Sequence, residues 1–521
     1  MIALIALTEK LFTLSVFLKK NKTMKKYIVL ILVGLTFSAM RSQGISDALR
    51  LSQDNLNGTA RFSAMGGAFG ALGGDFSAIN INPAGSAVFS NNQVGFTLSN
   101  YNIKNKSNYF GAETNQNSNS FDLNQAGAVF VFKDYDPKNN WKKFTLGINY
   151  ENTNNLDNSI FSAGVNPNNS ATNYFAFVAN SINVPVNVLG DYYYDELTLR
   201  EQTAYLGYRG YLINVDQTGK YSPNVSAGNF YQENHVVTTG YNGKLNFNMA
   251  TQYKDKFYFG LNLNSHFTDY RNSTNFYEVN DNNQTDGLRD FYFNKDLHTY
   301  GNGFSFQLGA IAKLNNSFRI GLSYDSPTWY TLTDELLQTV SSTGYNYENQ
   351  SNTILDVANP DSNIVIVYEP YKLKTPAKYT GSMAYVFGKK GLISIDYSLK
   401  DYSTSKFRPN DSYFGPINED MKSNLTTACE LRIGAEYRIK QWSLRGGFRN
   451  EQSPYKDGKA IGALTGYSGG FGYNFGNTKL DLAYSISQRN SQQGFFSSGF
   501  TDGPLIKTKN NNFSLTLLFE L

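Results

Sequence analysis

Apolar side chains recur at every second position along most of the chain from about residue 93 onward. This is the pattern of a β-strand with one apolar face. Counting such runs predicts roughly 14 strands, an even number within the range of bacterial outer-membrane barrels. Clear examples are Phe144, Leu146, Ile148 and Tyr150; Phe257, Phe259, Leu261 and Leu263; Phe318, Ile320, Leu322 and Tyr324; and Leu431, Ile433, Ala435, Tyr437 and Ile439.

The connections between these runs alternate between tight turns and long polar segments. Residues 254–256 and 388–391 are examples of the turns. Membrane barrels have short periplasmic turns and long extracellular loops, whereas a soluble sandwich has no reason to separate loop lengths in this way. We therefore predict an all-β fold, a transmembrane antiparallel β-barrel spanning 93–521. The long segments are 152–238, 271–302, 331–375, 404–427 and 490–510.

Composition supports the same class. Only 17% of the residues are charged and 15% are aromatic. No apolar stretch in the body of the chain approaches the ~20 residues of a membrane helix. The net charge of +4 comes from the first 42 residues, and without them 39 basic and 41 acidic residues remain. No basic patch is left to favour nucleic acid as a partner.

Residues 1–42 are predicted to be a leader. Met24, Lys25 and Lys26 precede a short apolar run at 27–37, as in a secretory signal peptide. We assign 24–42 to the signal peptide and 1–23 to an upstream extension. The expected location is the bacterial outer membrane.

Neither cysteine nor histidine chemistry predicts a metal or cofactor. Cys429 is the only cysteine, and it is expected to be an inert lipid-facing or core residue. The three histidines, His235, His266 and His298, are isolated and lack metal-ligand spacing. No cofactor and no metal site are therefore expected.

Charged residues on the predicted strands alternate with the apolar ones and should face the lumen, because charges facing lipid are costly. They are Glu430, Arg432, Glu436, Arg438, Arg445, Arg449 and Glu451. Their mixed signs have two interpretations, a contact surface for an internal plug or simple solvation of the lumen.

Residues 43–92 do not alternate. They contain Gly66-Gly67-Ala68, Gly73-Gly74-Asp75 and Asn82-Pro83-Ala84-Gly85. Glycine at this density permits close backbone approach and sharp bends. The segment lacks the ordered pattern and the βαβ context of a nucleotide-binding loop. It is predicted to fold inside the enclosure of a wide barrel.

These motifs, ahead of about fourteen strands, resemble the FadL/TodX-type outer-membrane hydrophobic-compound transporters, in a variant seen in Bacteroidetes-like bacteria. The resemblance implies that 43–92 is a hatch that plugs the barrel, with Asn82, Pro83, Ala84 and Gly85 as its gating element. It also implies lateral exit of ligand beside a kinked third strand, where Gly147 is the only candidate kink. The final run, 513–521, is similar to the signal read by barrel-assembly machinery.

Apolar residues in two long segments suggest a ligand site at the barrel mouth. Phe175, Phe177 and Leu336 are the predicted ligand contacts, with 332–337 as a short amphipathic helix. Large apolar side chains in such loops need burial. A capture groove for a hydrophobic ligand would provide it, and so would mutual packing of the loops into a lid.

Catalysis is not expected. Residues 466–470 match G-x-S-x-G around Ser468, but they lie in an alternating strand with no following helix, so the nucleophile-elbow context is missing. An outer-membrane lipase or protease remains the enzymatic alternative.

The sequence thus predicts a passive outer-membrane transporter for hydrophobic small molecules such as long-chain fatty acids or hydrocarbons. The alternative is a barrel of the same kind that serves as a partner or shuttle in outer-membrane protein secretion. An energised haem or siderophore receptor would need about 22 strands. Expected partners are a hydrophobic small molecule, outer-membrane lipid and the assembly machinery, and the protein is expected to be a monomer.

Overall fold

The computed structural model describes residues 44–280, 282, 287–345, 354–358, 360–411 and 413–521. The predicted leader, 1–42, lies outside the described residues. The strands are β1 (Gln93–Tyr109), β2 (Ala112–Lys133), β3 (Trp141–Asn155), β4 (Asn158–Asn166), β5 (Ile213–Val215), β6 (Tyr221–Pro223), β7 (Phe230–Tyr253), β8 (Phe257–Asn280), β9 (Gly287–Lys313), β10 (Phe318–Asp325), β11 (Trp329–Tyr345), β12 (Ile354–Ala358), β13 (Ile366–Val367), β14 (Tyr371–Lys374), β15 (Lys378–Val386), β16 (Gly391–Asp401), β17 (Lys406–Arg408), β18 (Thr427–Ile439), β19 (Trp442–Glu451), β20 (Ile461–Asn474), β21 (Thr478–Gln492) and β22 (Leu505–Glu520).

The helices are short, and none of those described belongs to the strands of the barrel wall. They are α1 (Ile45–Arg50), α2 (Ala60–Ala64), α3 (Thr172–Ser181), α4 (Val186–Asp191), α5 (Leu199–Arg209) and α6 (Phe414–Asn424), with 3-10 turns at Ser77–Asn80, Pro83–Val88, Tyr194–Glu196 and Tyr402–Thr404. No helix among the described residues is long and apolar enough to cross a membrane.

Fourteen antiparallel strands form a closed barrel wall within the described chain. Four of them consist of two pieces each: β3 with β4, β10 with β11, β15 with β14, and β16 with β17. The barrel closes where β1 pairs with β22, from Gln93 opposite Glu520 to Asn108 opposite Leu505. The prediction of an all-β transmembrane barrel of about 14 strands is confirmed.

The outward face of the wall is apolar and exposed. The alternation of the sequence places large apolar side chains there, as expected for a surface in contact with lipid. Examples spread around the barrel are Phe130, Phe144, Leu146, Phe247, Phe259, Leu308, Leu322, Met383, Ile393, Leu444, Phe471 and Phe513.

The strands extend further beyond one end of the barrel than the sequence predicts. The segment 271–302, expected to be a polar loop, lies mostly in β8 and β9. The tip between β1 and β2 is only two residues long.

The prediction of a short helix at 332–337 is wrong. These residues belong to β11, which pairs with β9 from Trp329 opposite Phe304 to Tyr345 opposite Gly287. Leu332, Asp334 and Leu336 are buried in alternation along β11. Leu332 and Leu336 are four residues apart, a spacing that puts them on one face of a helix and equally on one face of a strand. The hydrogen-bonded ladder to β9 makes this segment a strand.

Candidate functional site

Residues 44–92, called here the N-terminal segment, lie inside the barrel and contact its wall on many sides. The contacts are hydrogen bonds between backbone groups of the segment and inward-facing side chains of the wall. Ala60 N donates to Thr516 Oγ1 of β22 at 2.7 Å, Phe69 N and Gly70 N donate to Asp396 Oδ2 of β16 at 2.9 Å, and Asn262 Nδ2 of β8 donates to the Ile79 carbonyl at 2.9 Å. The segment therefore fills the lumen.

Asn82 begins the 3-10 turn Pro83–Val88 and is almost fully buried. Its Oδ1 accepts a hydrogen bond from Ala84 N at 3.1 Å and so caps the turn. Its Nδ2 donates to the carbonyls of Gly70 at 2.8 Å and Ala310 at 3.0 Å. One side chain thus ties the turn both to the glycine-rich stretch before it and to β9 in the wall.

A ladder of amides supports the same turn from the neighbouring strands. Asn248 Nδ2 of β7 donates to the Pro83 carbonyl at 3.0 Å and to Asn262 Oδ1 at 2.7 Å. Asn262 in turn donates to Gln307 Oε1 of β9 at 2.7 Å. The predicted element Asn82 to Gly85 is therefore brought together with wall residues that the sequence analysis did not identify.

Six wall glycines make this close packing possible. An added Cβ at any of them would overlap an atom of the N-terminal segment. Gly260 faces Pro83, Gly309 faces Asn82, Gly321 faces Gly70, Gly434 faces Met65, Gly447 faces Gly66 and Gly470 faces Ala64. These positions, where the backbone of the N-terminal segment lies directly on a wall glycine, are called here glycine seats. Gly260 is paired with Gly309, and Gly434 with Gly447, so two of the seats span adjacent strands. In the sequence, each of these glycines stands at a position whose side chain would face the lumen, next to apolar residues that face outward. This pattern could have identified them.

We expect Asn82→Asp to weaken the seating of the N-terminal segment more than Asn82→Ala does. The alanine leaves the carbonyls of Gly70 and Ala310 without this donor, at a cost of about 1–3 kcal/mol. The aspartate is nearly isosteric but places a carboxylate against those carbonyls. Limited proteolysis of the folded barrel should show cleavage within 44–92 in the order Asp, Ala, wild type. Equal protection of all three proteins would contradict the assigned role of Asn82.

The mixed charges predicted to face the lumen contact the N-terminal segment. Arg61 Nε of α2 donates to Glu436 Oε2 at 2.9 Å, and Glu436 also pairs with Arg445 at 2.8 Å and with Arg438. Arg445 continues the network to Asp481 at 2.5 Å. Of the two interpretations given above, these contacts support a surface that holds an internal plug.

A polar cavity of about 110 Å³ lies between the N-terminal segment and the wall. This is space for several waters but not for a long acyl chain. Its lining includes Asp54 from the segment and Lys244, Lys378 and Lys400 from β7, β15 and β16. Burial alone would raise the pKa of Asp54, but Lys400 and Lys378 outweigh it and hold the pKa well below its usual range. Asp54 is therefore a carboxylate.

The third wall strand is interrupted at residues 156–157, between β3 and β4, rather than at Gly147. The ladder between β2 and β3 ends where Gln125 pairs with Glu151. Beyond that point β4 pairs with β7, while the outer part of β2 pairs only with β1. β4 instead leans on the inner side of β1, where Asn105 Nδ2 donates to the Ser159 carbonyl at 2.8 Å. The wall thus has a place without a backbone ladder.

Two of the predicted ligand contacts lie in a cap made by the long loops, and the third lies on β11. Phe175 on α3 is fully buried in an apolar cluster with residues of α4, α5 and the tips of β8 and β9. Phe177, on the same helix, is 50% exposed. Leu336 is buried with Leu297 and Tyr368. The structure brings neither Phe175 nor Phe177 together with Leu336 in one cluster, and the cap packs like the lid considered above.

Ser468, the candidate nucleophile, holds the N-terminal segment against the wall through two hydrogen bonds. Its Oγ donates to the Ala64 carbonyl at 3.0 Å and accepts from Gly66 N at 3.1 Å. It stands beside Gly447 in the seat of the N-terminal segment.

His266 lies in the lumen, as its position in the alternation of β8 predicts, and contacts Ser305 Oγ at 2.8 Å. Among the described residues, no group of three or more His, Cys, Asp or Glu side chains could hold a metal ion.

Comparison with solved structures identifies the fold. The FadL homologue of Pseudomonas aeruginosa is similar with a TM-score of 0.54 and 12% identity, covering 90% of this chain and 99% of that chain. The toluene transporter TodX of Pseudomonas putida is similar with a TM-score of 0.50 and 14% identity, over 90% and 99% of the two chains. No family model and no curated protein matches the sequence. The resemblance inferred from the motifs is thus confirmed for the fold: this chain has the FadL/TodX barrel fold.

Proposed function

We propose that the protein is a passive transporter of hydrophobic small molecules across the bacterial outer membrane, with the N-terminal segment as its hatch. The observation that carries the proposal is the lumen itself. It is filled by a segment held through hydrogen bonds, ion pairs and glycine seats, in a barrel with the fold of proteins described as hydrocarbon transporters. A wide barrel with a seated plug is suited to controlled passage rather than to free diffusion.

The interruption of the third strand supports a lateral route for an apolar ligand. The lumen around the N-terminal segment is polar and charged, so an apolar molecule would be poorly solvated there. The stretch of β2 that lacks a ladder to the third strand carries Phe121, 65% exposed, and Leu123, 44% exposed. Apolar side chains beside an unpaired part of the wall offer a path from the barrel to the lipid.

Uptake measurements test the transport function. A Gram-negative strain that lacks its own fatty-acid transporter should accumulate labelled oleate or toluene when the protein is expressed. The Asn82→Asp variant should assemble normally in the outer membrane and reduce uptake. Normal assembly with no uptake of either compound, together with stable capture of secretion components in detergent, would reject transport in favour of the secretion role.

A disulfide staple tests the lateral route. Thr114 Oγ1 of β2 donates a hydrogen bond to the Phe161 carbonyl of β4, so the two strands touch across the stretch that lacks a ladder. In a Cys429→Ser background, cysteines at 114 and 161 should lower uptake to the level of a strain without the protein, and reductant should restore it. The matched control joins Ala128 and Ile148, which pair in the regular ladder. If the two staples have the same effect, the lateral route is rejected.

A further inference from the structure

A groove of about 540 Å³ crosses the outward face of four neighbouring wall strands, β9, β10, β15 and β16. Leu322 of β10 is paired with Ala310 on one side and with Gly381 on the other, so two small residues leave a depression in this row of outward positions. Larger side chains border the depression: Leu308, Tyr324, Tyr379, Tyr397 and Leu399. The groove therefore opens to the bilayer, on the opposite face of the wall from the N-terminal segment.

Trp329 marks the level at which the apolar layer ends above this groove. The chain has three tryptophans, and the other two, Trp141 and Trp442, begin strands beside the short turns of the opposite rim. Tryptophan is enriched at membrane–water interfaces. Trp329 is 46% exposed and is paired with Phe304, which lies four residues from Leu308 of the groove along β9. Four residues of strand span about 13 Å, so the groove lies within the apolar layer and Trp329 at its boundary.

Four cations cluster at the level of Trp329 on the paired strands β14 and β17. Lys374 is paired with Trp329 on one side and with Lys406 on the other, and Lys372 is paired with Arg408. In the wall, β14 continues β15 and β17 continues β16. The cations therefore stand above the groove on two of the strands that form it.

The four cations face away from the lumen. The residues between them, Leu373 and Phe407, are buried in one apolar cluster with Leu49 of α1, inside the barrel. Side chains alternate between the two faces of a strand, so the cations point outward. Two of them, Lys372 and Arg408, are exposed, and the other two are half-buried.

This arrangement of like charges lacks an anion. Cations directly opposite each other on neighbouring strands repel, and here two such pairs follow one another. Within the described residues, no carboxylate forms an ion pair with any of the four. Lysine and arginine side chains are well suited to hold phosphate oxygens. A phosphate at the membrane surface would therefore complete the cluster.

We propose that this face of the barrel binds one anionic, phosphate-bearing membrane lipid, with its phosphate on the four cations and an acyl chain in the groove. The groove is continuous with the lipid-facing surface, and a chain that starts at the level of Trp329 reaches it within half of a hydrocarbon core of about 30 Å. Charge above and apolar surface below thus match the two parts of one lipid. A second copy of the chain docked here about a twofold axis would bring the same cations toward each other. The inference requires a membrane around the barrel but not transport, so either can fail without the other.

Tryptophan quenching by brominated lipids tests the site, because Trp329 lies beside it. The full-length barrel in a Trp141→Phe, Trp442→Phe background is titrated in non-ionic detergent with brominated phosphatidylglycerol or with brominated phosphatidylcholine of the same chains. We expect phosphatidylglycerol to bind about five- to tenfold more tightly. Lys374→Gln combined with Arg408→Gln should reduce this preference to about twofold or less, through a loss of affinity for phosphatidylglycerol alone. Unchanged affinity for phosphatidylglycerol in that double variant would overturn the proposal.

Lys507→Gln combined with Lys509→Gln is the matched control for charge. It removes two exposed lysines of β22 at the same end of the barrel, away from the groove. The preference for phosphatidylglycerol should not change. An equal loss in the two double variants would show a general attraction of the protein for anionic lipid, without a site, and would overturn the proposal as well.

Gly381→Leu tests the groove. A Cβ added at Gly381 meets only the Leu322 side chain, at 3.9 Å, so the barrel can accept the larger residue. It should weaken the binding of both lipids by about three- to fivefold, because the acyl chain loses part of its contact. Gly446→Leu is the matched control, since Gly446 of β19 lies outside the groove in open space, and it should change neither affinity. The same affinities in both variants would overturn the proposal, as would a barrel that sediments as a dimer and is quenched by neither lipid. Heat-modifiable migration in gels verifies that each variant is folded.

Discussion

Replacing Glu436 by glutamine is expected to destabilise the protein by about 3–5 kcal/mol, because it leaves buried cations without their anion. The Glu436 side chain is fully buried, and its carboxylate receives Arg61 at 2.9 Å and Arg445 at 2.8 Å. Glutamine keeps the size of the side chain but loses its charge and turns one acceptor into a donor that faces guanidinium groups. The loss affects both the wall and the seat of α2, since Arg61 belongs to the N-terminal segment.

Urea unfolding in detergent, followed by tryptophan fluorescence, measures this effect. Glu520→Gln serves as the control, because Glu520 forms a partly exposed pair with Lys479 at 3.6 Å and should contribute less than about 1 kcal/mol. The double variant Arg61→Met with Glu436→Gln should recover part of the loss, because it also removes one of the stranded cations. A Glu436→Gln barrel as stable as the Glu520→Gln barrel would show that the network does not hold the plug.

The second large effect is expected from a single methyl group. Gly447→Ala would place Cβ on the backbone of Met65 and Gly66, which cannot move without losing the hydrogen bonds of Ser468. Overpacking of this kind costs about 1–3 kcal/mol, and here the strain falls on the contact between plug and wall. We therefore expect a barrel that assembles but whose N-terminal segment is cleaved more readily by trypsin at Arg61.

Gly446→Ala is the control, since Gly446 is the preceding residue of β19 and an added Cβ meets no atom within 4 Å. The two variants share strand, residue type and side-chain volume. A difference between them therefore measures the effect of the added methyl group on the contact between Gly447 and the N-terminal segment. Entry of a large polar antibiotic into cells gives a second measurement, with sensitivity increased only by Gly447→Ala. The same sensitivity in both variants would argue against a plug seated on Gly447.

The barrel could be predicted from the sequence because its period is local. Residues such as Phe257 to Leu263 alternate without any knowledge of their neighbours, and the lipid boundary enforces that alternation. Asn82 to Gly85 was found for a different reason, the resemblance of a short motif. Both signals lie within a few consecutive residues.

What escaped prediction depends on contacts between distant residues. Asp54 has no local feature that distinguishes it from other acidic residues, and its ion pairs form only because β15 and β16 bring Lys378 and Lys400 to it. The interruption at 156–157 was missed because no glycine or proline marks it; it follows from the attachment of β4 to β1 and β7. Leu336 was misassigned to a helix because its spacing from Leu332 fits both periods.

The glycine seats and wall hydrogen bonds also constrain the order of biogenesis. Ala60 is bonded to Thr516, 456 residues later in the chain. The segment is therefore synthesised long before Thr516 exists. Contacts of such long range form slowly. Since β1 and β22 close the wall around the segment, its contact with Thr516 is complete only when β22 has joined the wall. The seating of the N-terminal segment is thus coupled to barrel closure, because Thr516, which holds Ala60, lies on the strand that pairs with β1.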